Sequence, residues 1–358
     1  MNINQLVRKN ILNMKPYSSA RDEFKGVASV FLDANENPYD TGLNRYPDPL
    51  AWAVKKELSV IKKVAPENIF LGNGSDEVID VLMRIFCEPN VDNIITLPPT
   101  YGMYQVSADT CGVEVIKINL DENFQPKIEE ILPRQSVVKP KAASGANERS
   151  KILFICSPNN PSGNAIESGL ILNLINNFKG IVVVDEAYSD FSKQPSCSEW
   201  IGTFPNLVVM QTFSKAWGLA GIRLGMAFAS KEIIDLMNKV KPPYNINQLT
   251  QQAALVALKN VEKKNEQVAE ILEQRGKMTE ILRGLDVVEK VYPSDANFLL
   301  VKVRQANALY NYLLKKEIVV RNRHTVVLCE DCLRITVGVP SENARLVKAL
   351  KDAAFQFA

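Results

Sequence analysis

A lysine, an aspartate and an asparagine each stand just beyond a short apolar run in this sequence. Lys215 closes Thr212-Phe213-Ser214-Lys215, shortly after Leu207-Val208-Val209-Met210. Most lysines are solvated surface charges, but an amine at a strand end near other cations has a lowered pKa and attacks carbonyl groups. Asp185 follows Ile181-Val182-Val183-Val184, which puts a carboxylate at the mouth of a strand buried on both faces. Such an acid finds a partner, takes up a proton, or caps the turn that follows. A protonated ring nitrogen is one suitable partner. Asn160, in Ser157-Pro158-Asn159-Asn160-Pro161-Ser162-Gly163, projects a donor amide past the run Ile152-Leu153-Phe154-Ile155-Cys156, although the same string also reads as a turn. Tyr188, three residues after Asp185, reaches the same crevice.

An anion site is written a little earlier. Gly72-Asn73-Gly74-Ser75-Asp76 comes directly after Ile69-Phe70-Leu71 and opens a helical stretch toward Phe86. Glycines allow the tight turn, and the free N–H groups of a helix start attract phosphate. Ser214 and Arg223 can complete that cradle, Arg223 through a two-pronged contact. Tyr101, in Pro98-Pro99-Thr100-Tyr101-Gly102, either stacks on a bound ring or packs as an ordinary core or interface tyrosine. A glycine turn before a helix is common, so each piece is weak by itself. Together they supply an anion cradle, a stacking face, a counter-charge and an amine, which are the needs of a phosphorylated aromatic aldehyde.

These residues require elements that hold them at one crevice. From Ile69 to Met210 apolar runs alternate with helix-like stretches, adding Ile94 to Leu97 and Val113 to Ile118 to those above. That alternation predicts a largely parallel sheet covered by helices, whose ligand crevice lies beyond the carboxyl ends of the strands. From Gln248 to about Leu285 a long helical region is expected, broken at most near Gly276. Strand (297–303), helix (306–316), two strands (318–321 and 333–337) and a final helix after Ser341 then predict a small α+β domain. The expected division is a large domain at 40–275 and a smaller one from 1–39 and 276–358. Residues 139–149, rich in Lys, Ala, Ser and Gly, read as a surface loop insertion.

The totals exclude several classes. With 358 residues, 46% of them apolar, two domains with real cores are expected. A formal charge of +2 gives no broad basic field for nucleic acid. No secretory apolar segment follows Met1 and no run approaches the roughly 20 residues that span a bilayer, so a soluble cytoplasmic protein without a membrane partner is expected. Six scattered cysteines predict reduced thiols. Cys329 and Cys332 have the spacing of half a zinc site, but no second pair accompanies them and His324 is the chain's single histidine. A structural role is therefore expected for the pair, with no metal, and none in chemistry for His324.

Asn, Asp and Lys at 160, 185 and 215, recurring once per strand-helix unit, carry a wider resemblance. With Leu32-Asp33-Ala34-Asn35-Glu36-Asn37-Pro38, Arg45-Tyr46-Pro47-Asp48, the glycine cradle from Gly72 to Glu77, Ala220-Gly221-Ile222-Arg223-Leu224-Gly225 and Leu333-Arg334-Ile335-Thr336-Val337-Gly338, the chain resembles the fold-type I (aspartate aminotransferase-like) pyridoxal-phosphate-dependent aminotransferases over nearly its whole length. Within them it is most similar to the histidinol-phosphate aminotransferase family. The resemblance implies a mostly parallel seven-stranded sheet between helices plus a smaller α+β domain, and pyridoxal 5'-phosphate as cofactor. It implies Lys215 as the Schiff-base lysine and proton shuttle, Asp185 as the ring-nitrogen partner, Asn160 and Tyr188 at the phenolic oxygen, and Tyr101 as the stacking residue. Gly74, Ser75, Asp76, Ser214 and Arg223 fall at the phosphate, with Tyr46 reaching it from the partner subunit of a homodimer. Arg334 is implied for the α-carboxylate of glutamate, with Tyr17, Asn37 and Arg321 joining it around the substrate. Arg323 competes with Arg321 for that role.

The implied reaction is reversible amino transfer between glutamate/2-oxoglutarate and imidazole acetol phosphate/histidinol phosphate, in histidine biosynthesis. A threonine-phosphate decarboxylase and a broad aromatic-amino-acid aminotransferase share much of this pattern. A non-enzymatic ligand-binding module of the same fold is disfavoured by joint retention of Lys215, Asp185, Asn160, Tyr188 and Arg223, since a binding module needs no such amine.

Overall fold

The computed structural model describes residues 1–17, 24, 26, 28–137 and 149–357, so of the expected insertion only Arg149 is described. A seven-stranded sheet is built from β1 (Ile69–Asn73), β2 (Asn93–Thr96), β3 (Glu114–Lys117), β4 (Ser150–Cys156), β5 (Ile181–Asp185), β6 (Leu207–Thr212) and β7 (Leu224–Ala229), in the order β1-β7-β6-β5-β4-β2-β3. Every residue of β5, β6 and β7 is buried, as near-continuous apolar runs require when helices cover both faces. Full burial of each Val or Ile contributes roughly 1.5–3 kcal/mol. The neighbours from β6 through β3 are parallel, whereas β7 runs antiparallel to both β6 and β1. Cys156, Asp185 and Met210 are consecutive register partners on β4, β5 and β6. Asn160, Asp185 and Lys215 thus leave three adjacent strands at the same end.

A second, antiparallel sheet has the order β10-β11-β9-β8, with β8 at Val288–Val291, β9 at Phe298–Val303, β10 at Arg321–Asn322 and β11 at Cys332–Thr336. Leu299, Val301, Leu309, Leu313, Leu333, Leu346 and Leu350 form its core with the helices Ala306–Lys315 and Pro340–Phe357. The final helix starts at Pro340, one residue before the expected serine; proline suits a first helical position, where its missing N–H would be unpaired anyway. β10 is shorter than the run 318–321 predicted, and β8 was not anticipated because two of its four residues are charged and exposed.

Two expectations are corrected. The long helical region is two helices, Gln248–Leu258 and Val261–Arg283. The break falls at Lys259 and Asn260, where Asn260 leaves helical geometry and its amide donates to the Val256 carbonyl. Gly276 stays helical, with open space where a side chain would stand, so it costs only about 1 kcal/mol relative to alanine. The N-terminal residues do not begin in the smaller unit. Ile3, Val7 and Ile11 enter the core formed by Phe70, Val78, Leu82 and Phe86 beside the large sheet. The Arg8 N–H donates to the Ile85 carbonyl, and the Arg8 guanidinium pairs with Glu88 at 3.0 Å.

All six cysteines are free, and Cys329 and Cys332 are fully buried among apolar side chains. Among the described residues no helix is long and apolar enough to cross a membrane.

Candidate active site

At the carboxyl end of the large sheet, facing the smaller one, lies a cavity of about 790 Å³. Its first wall is the end of β1. Gly74 has φ +76°, and the helix Ser75–Phe86 begins without a side-chain cap, leaving the N–H groups of its first turn available to an anion. Arg223, just before β7, closes this wall: its backbone carbonyl accepts from the Gly74 N–H at 2.7 Å, and its guanidinium lies 3.4 Å from Asp76. A β-carbon on Gly225 would lie 2.2 Å from the Ser75 nitrogen, and one on Gly74 would lie 2.7 Å from the Arg223 guanidinium. At Gly225 only glycine lets the two backbones meet this closely, and at Gly74 the positive φ favours glycine. Ser214 lines the same region and accepts a hydrogen bond from the Thr212 hydroxyl at 3.0 Å.

Asp185 forms the floor. It is 3% exposed, and its carboxylate accepts one hydrogen bond on each oxygen, from the Tyr104 hydroxyl at 2.7 Å and the Ala187 N–H at 3.1 Å. Burial pushes its carboxyl above the usual range, while those two donors pull it back. A carboxylate has about four acceptor sites, so it retains capacity on the cavity side for a cationic N–H. Tyr101 lines the wall above, its hydroxyl donating to Asp76 at 3.1 Å and its ring edge-on to Tyr104 with centroids 5.6 Å apart.

Lys215 projects into the middle, its Nζ 5.6 Å from the centre of the Tyr188 ring. Its pKa is lowered, first by desolvation within the cavity and then by the Arg334 charge; Asp185 and Asp76 oppose this. A larger share of free amine is the form that nucleophilic and proton-transfer chemistry needs. Tyr188 packs edge-on against Phe298 at 5.1 Å, and the Arg334 guanidinium lies 5.3 Å from that same ring. Arg334 also donates to the Asn160 side-chain oxygen at 2.5 Å. Arg321 and Arg323 complete this end of the cavity.

The remaining expected residues lie elsewhere in the single chain. Tyr46 stacks on Tyr244 at 4.6 Å and shares a separate hollow with Tyr17, Trp52 and Lys241. Asn37 accepts from the Tyr39 N–H on the exposed segment leading there. His324, outside the cavity lining, accepts at Nδ1 from the Asp331 N–H at 3.2 Å.

Two contributors escaped the sequence reading. Tyr104 is fully buried and touches the key carboxylate; it lies in the first turn of the helix Met103–Thr110 just after Tyr101, and that closeness in sequence was the available signal. Thr100 lines the cavity with its hydroxyl buried and unpartnered among the described residues. If Tyr104 holds Asp185 in place, Tyr104→Phe weakens cofactor affinity by about tenfold or more, the scale for a hydrogen bond to a charged group. Fluorescence titration of cofactor into the stripped variant checks this, and an unchanged dissociation constant would remove Tyr104 from the assignment.

An uncapped helix start, a buried carboxylate with spare acceptor capacity and a lowered amine match the phosphate, ring nitrogen and aldehyde of pyridoxal phosphate. Fold and cavity together define a fold-type I pyridoxal-phosphate enzyme. Residues 21–350 match the family Aminotransferase class I and II, and the chain belongs to that family. The chain is 55% identical over 350 residues to a histidinol-phosphate aminotransferase from Parabacteroides distasonis, covering 98% of each sequence. Among solved structures, histidinol-phosphate aminotransferase from Clostridium acetobutylicum aligns with TM-score 0.78 and 26% identity, over 88% of this chain and 92% of that one. The enzyme from Sinorhizobium meliloti in complex with pyridoxal-5'-phosphate aligns with TM-score 0.77 at 22% identity, over 88% and 84%; at that identity the likeness speaks for the fold.

Proposed function

We infer that this pyridoxal-phosphate-dependent aminotransferase exchanges an amino group between glutamate/2-oxoglutarate and imidazole acetol phosphate/histidinol phosphate. The observation that carries this reading is a cavity with two cationic ends, Arg223 beside the helix start and Arg321, Arg323 and Arg334 opposite, with Lys215 between them. One end suits the cofactor's phosphate. The other must accept a carboxylate in one half-reaction and a phosphate monoester in the other, and arginine's planar fork matches both.

In this reading Ser75, Ser214, Arg223 and the N–H groups after Gly74 hold the cofactor's phosphate, supported by Asp76, while Asp185 holds its ring nitrogen protonated. Tyr101 stacks on the ring, and Asn160 and Tyr188 serve its phenolic oxygen. When bound, pyridoxal phosphate supplies an electron sink for the bond broken at the substrate's α-carbon. Lys215 takes the proton from that carbon, its lowered pKa providing the free base. Arg334, braced by Asn160, orients the substrate's anion so that the proton faces the lysine.

Mixing the pyridoxal form separately with glutamate, histidinol phosphate, threonine phosphate and phenylalanine tests the substrate. The first two convert it to the amine form. Carbon dioxide released from threonine phosphate would assign the decarboxylase reading instead, and phenylalanine reacting as fast as histidinol phosphate would assign a broad aromatic enzyme.

The working form is proposed to be a homodimer. Val30, Leu32, Tyr39 and Leu43 stand 70%, 89%, 79% and 54% exposed, and a second copy would cover this apolar run. Tyr17, Asn37 and Tyr46 on or near it would then serve the partner's site. The six free thiols fit a reducing, cytoplasmic setting.

A further inference from the structure

We propose that Arg323 makes the substrate end of the cavity selective for a phosphomonoester: its guanidinium donates to the phosphate of histidinol phosphate beside Arg321 and Arg334, and contributes little to holding glutamate. The proposal rests on the reaction inferred above and assigns a distinct task to one residue within it.

Backbone geometry sets the side chain's direction. β10 pairs antiparallel with β11, Arg321 opposite Arg334, and the Arg323 N–H continues that pairing by donating to the Cys332 carbonyl at 2.9 Å. Alternate residues of an extended strand share a face. Arg321 and Arg323 accordingly both line the cavity, while Asn322 between them turns away to donate to Asn307 at 2.7 Å.

Arg323 is also the member of the trio with a buried donor left unmet. Its Nε is buried without a hydrogen-bond partner, and among the described residues it makes no ion pair. Arg334 already spends one donor on Asn160. The two carboxylates lining the cavity are engaged elsewhere, Asp76 by Tyr101 and Arg223, Asp185 by Tyr104 and Ala187. Three guanidinium groups therefore gather with no anion among the described residues between them. Burial, then Arg334 and Arg321, push the Arg323 guanidinium down to about 10, the response expected of a cation held among cations away from water. A buried N–H donor without an acceptor is costly, so the acceptor it awaits comes with the ligand.

Charge decides which ligand. A phosphate monoester carries about −1.5 to −2 near neutrality and three acceptor oxygens, whereas a carboxylate carries one charge and two oxygens. Arg334 and Arg321 suffice for a carboxylate. A third fork gains most from the dianion's extra charge and oxygen.

The test uses the holoenzyme and its Arg323→Gln and Arg323→Lys variants, with each half-reaction followed separately. For Arg323→Gln, the concentration of histidinol phosphate giving half-maximal rate rises by about tenfold or more, while that for glutamate changes less than about threefold. Arg323→Lys keeps the charge without the fork and falls between, so the comparison survives if the glutamine variant is unstable. Calorimetric titration with inorganic phosphate gives a readout independent of turnover, and its affinity falls in parallel. Equal losses on both substrates, a loss confined to glutamate, or unchanged phosphate affinity would each overturn the assignment. Failure of the unaltered enzyme to react with histidinol phosphate would instead overturn the reaction itself.

Discussion

Lys215→Ala lowers turnover by at least about 10⁴-fold and leaves pyridoxal phosphate held by non-covalent contacts alone. Two losses combine, because the amine is the only group in the assignment that both links to the cofactor's aldehyde and carries the substrate's proton. Proton transfer alone accounts for roughly 10²–10⁴-fold, and loss of covalent catalysis adds to it. The neighbours do not replace it: Tyr188 lies beside the lysine, but burial pushes its hydroxyl well above the ordinary range, so it is a poor base near neutrality. Borohydride treatment followed by peptide mass analysis reads the link directly, with cofactor fixed at position 215 in the unaltered chain and at no position in the variant. A variant that keeps the link, or turns over at even a hundredth of the normal rate, would require another lysine.

Asp185→Asn is expected to cost about 10²–10³-fold in turnover, the range for removing a preorganised electrostatic contact at a reacting centre, while making the cofactor-free protein more stable. An amide keeps an acceptor for Tyr104 or for Ala187 but has no charge to hold a ring nitrogen protonated. The stability gain follows from the sign of the shift. Burial raises the Asp185 carboxyl in the folded chain, so the folded state binds that proton more tightly than the unfolded one. Its contribution is favourable below the unfolded value and is lost as pH rises through the folded one. At neutral pH the carboxylate is thus a burden to the empty site, and its removal is worth on the order of 1 kcal/mol. Thermal melts of the stripped proteins measure the gain. A lower melting temperature for Asp185→Asn, together with unchanged turnover, would show that the residue only caps the turn after β5.

The parallel part of the large sheet could be read directly because its strands are buried on both faces and appear as unbroken apolar runs. Asn160, Asp185 and Lys215 stood out because polar groups at the ends of such runs are costly without a purpose. Periodicity carried less elsewhere. The antiparallel setting of β7 between β6 and β1 is a pairing decision that leaves no mark on Leu224-Gly225-Met226-Ala227. Tyr104 looks like any core aromatic until its hydroxyl is seen against Asp185. Ile3, Val7 and Ile11 show an amphipathic spacing, but spacing cannot say which surface they cover. Arg321 opens β10 and Arg323 lies one residue past its end, and the sequence does not show which of the two is the more buried.

The placement of β7 also bears on when the protein becomes able to hold its cofactor. Gly74 and Gly225 meet at the proposed phosphate cradle, yet they sit far apart in the chain. Contacts of such long sequence separation carry a larger loop-closure entropy cost than local ones. During synthesis at about 5–20 residues per second, Gly74 waits several seconds or more for the strand that completes it. The earlier strands have by then been made with neither Lys215 nor Arg223 in position. A complete cradle therefore exists only once β7 has been added between β6 and β1.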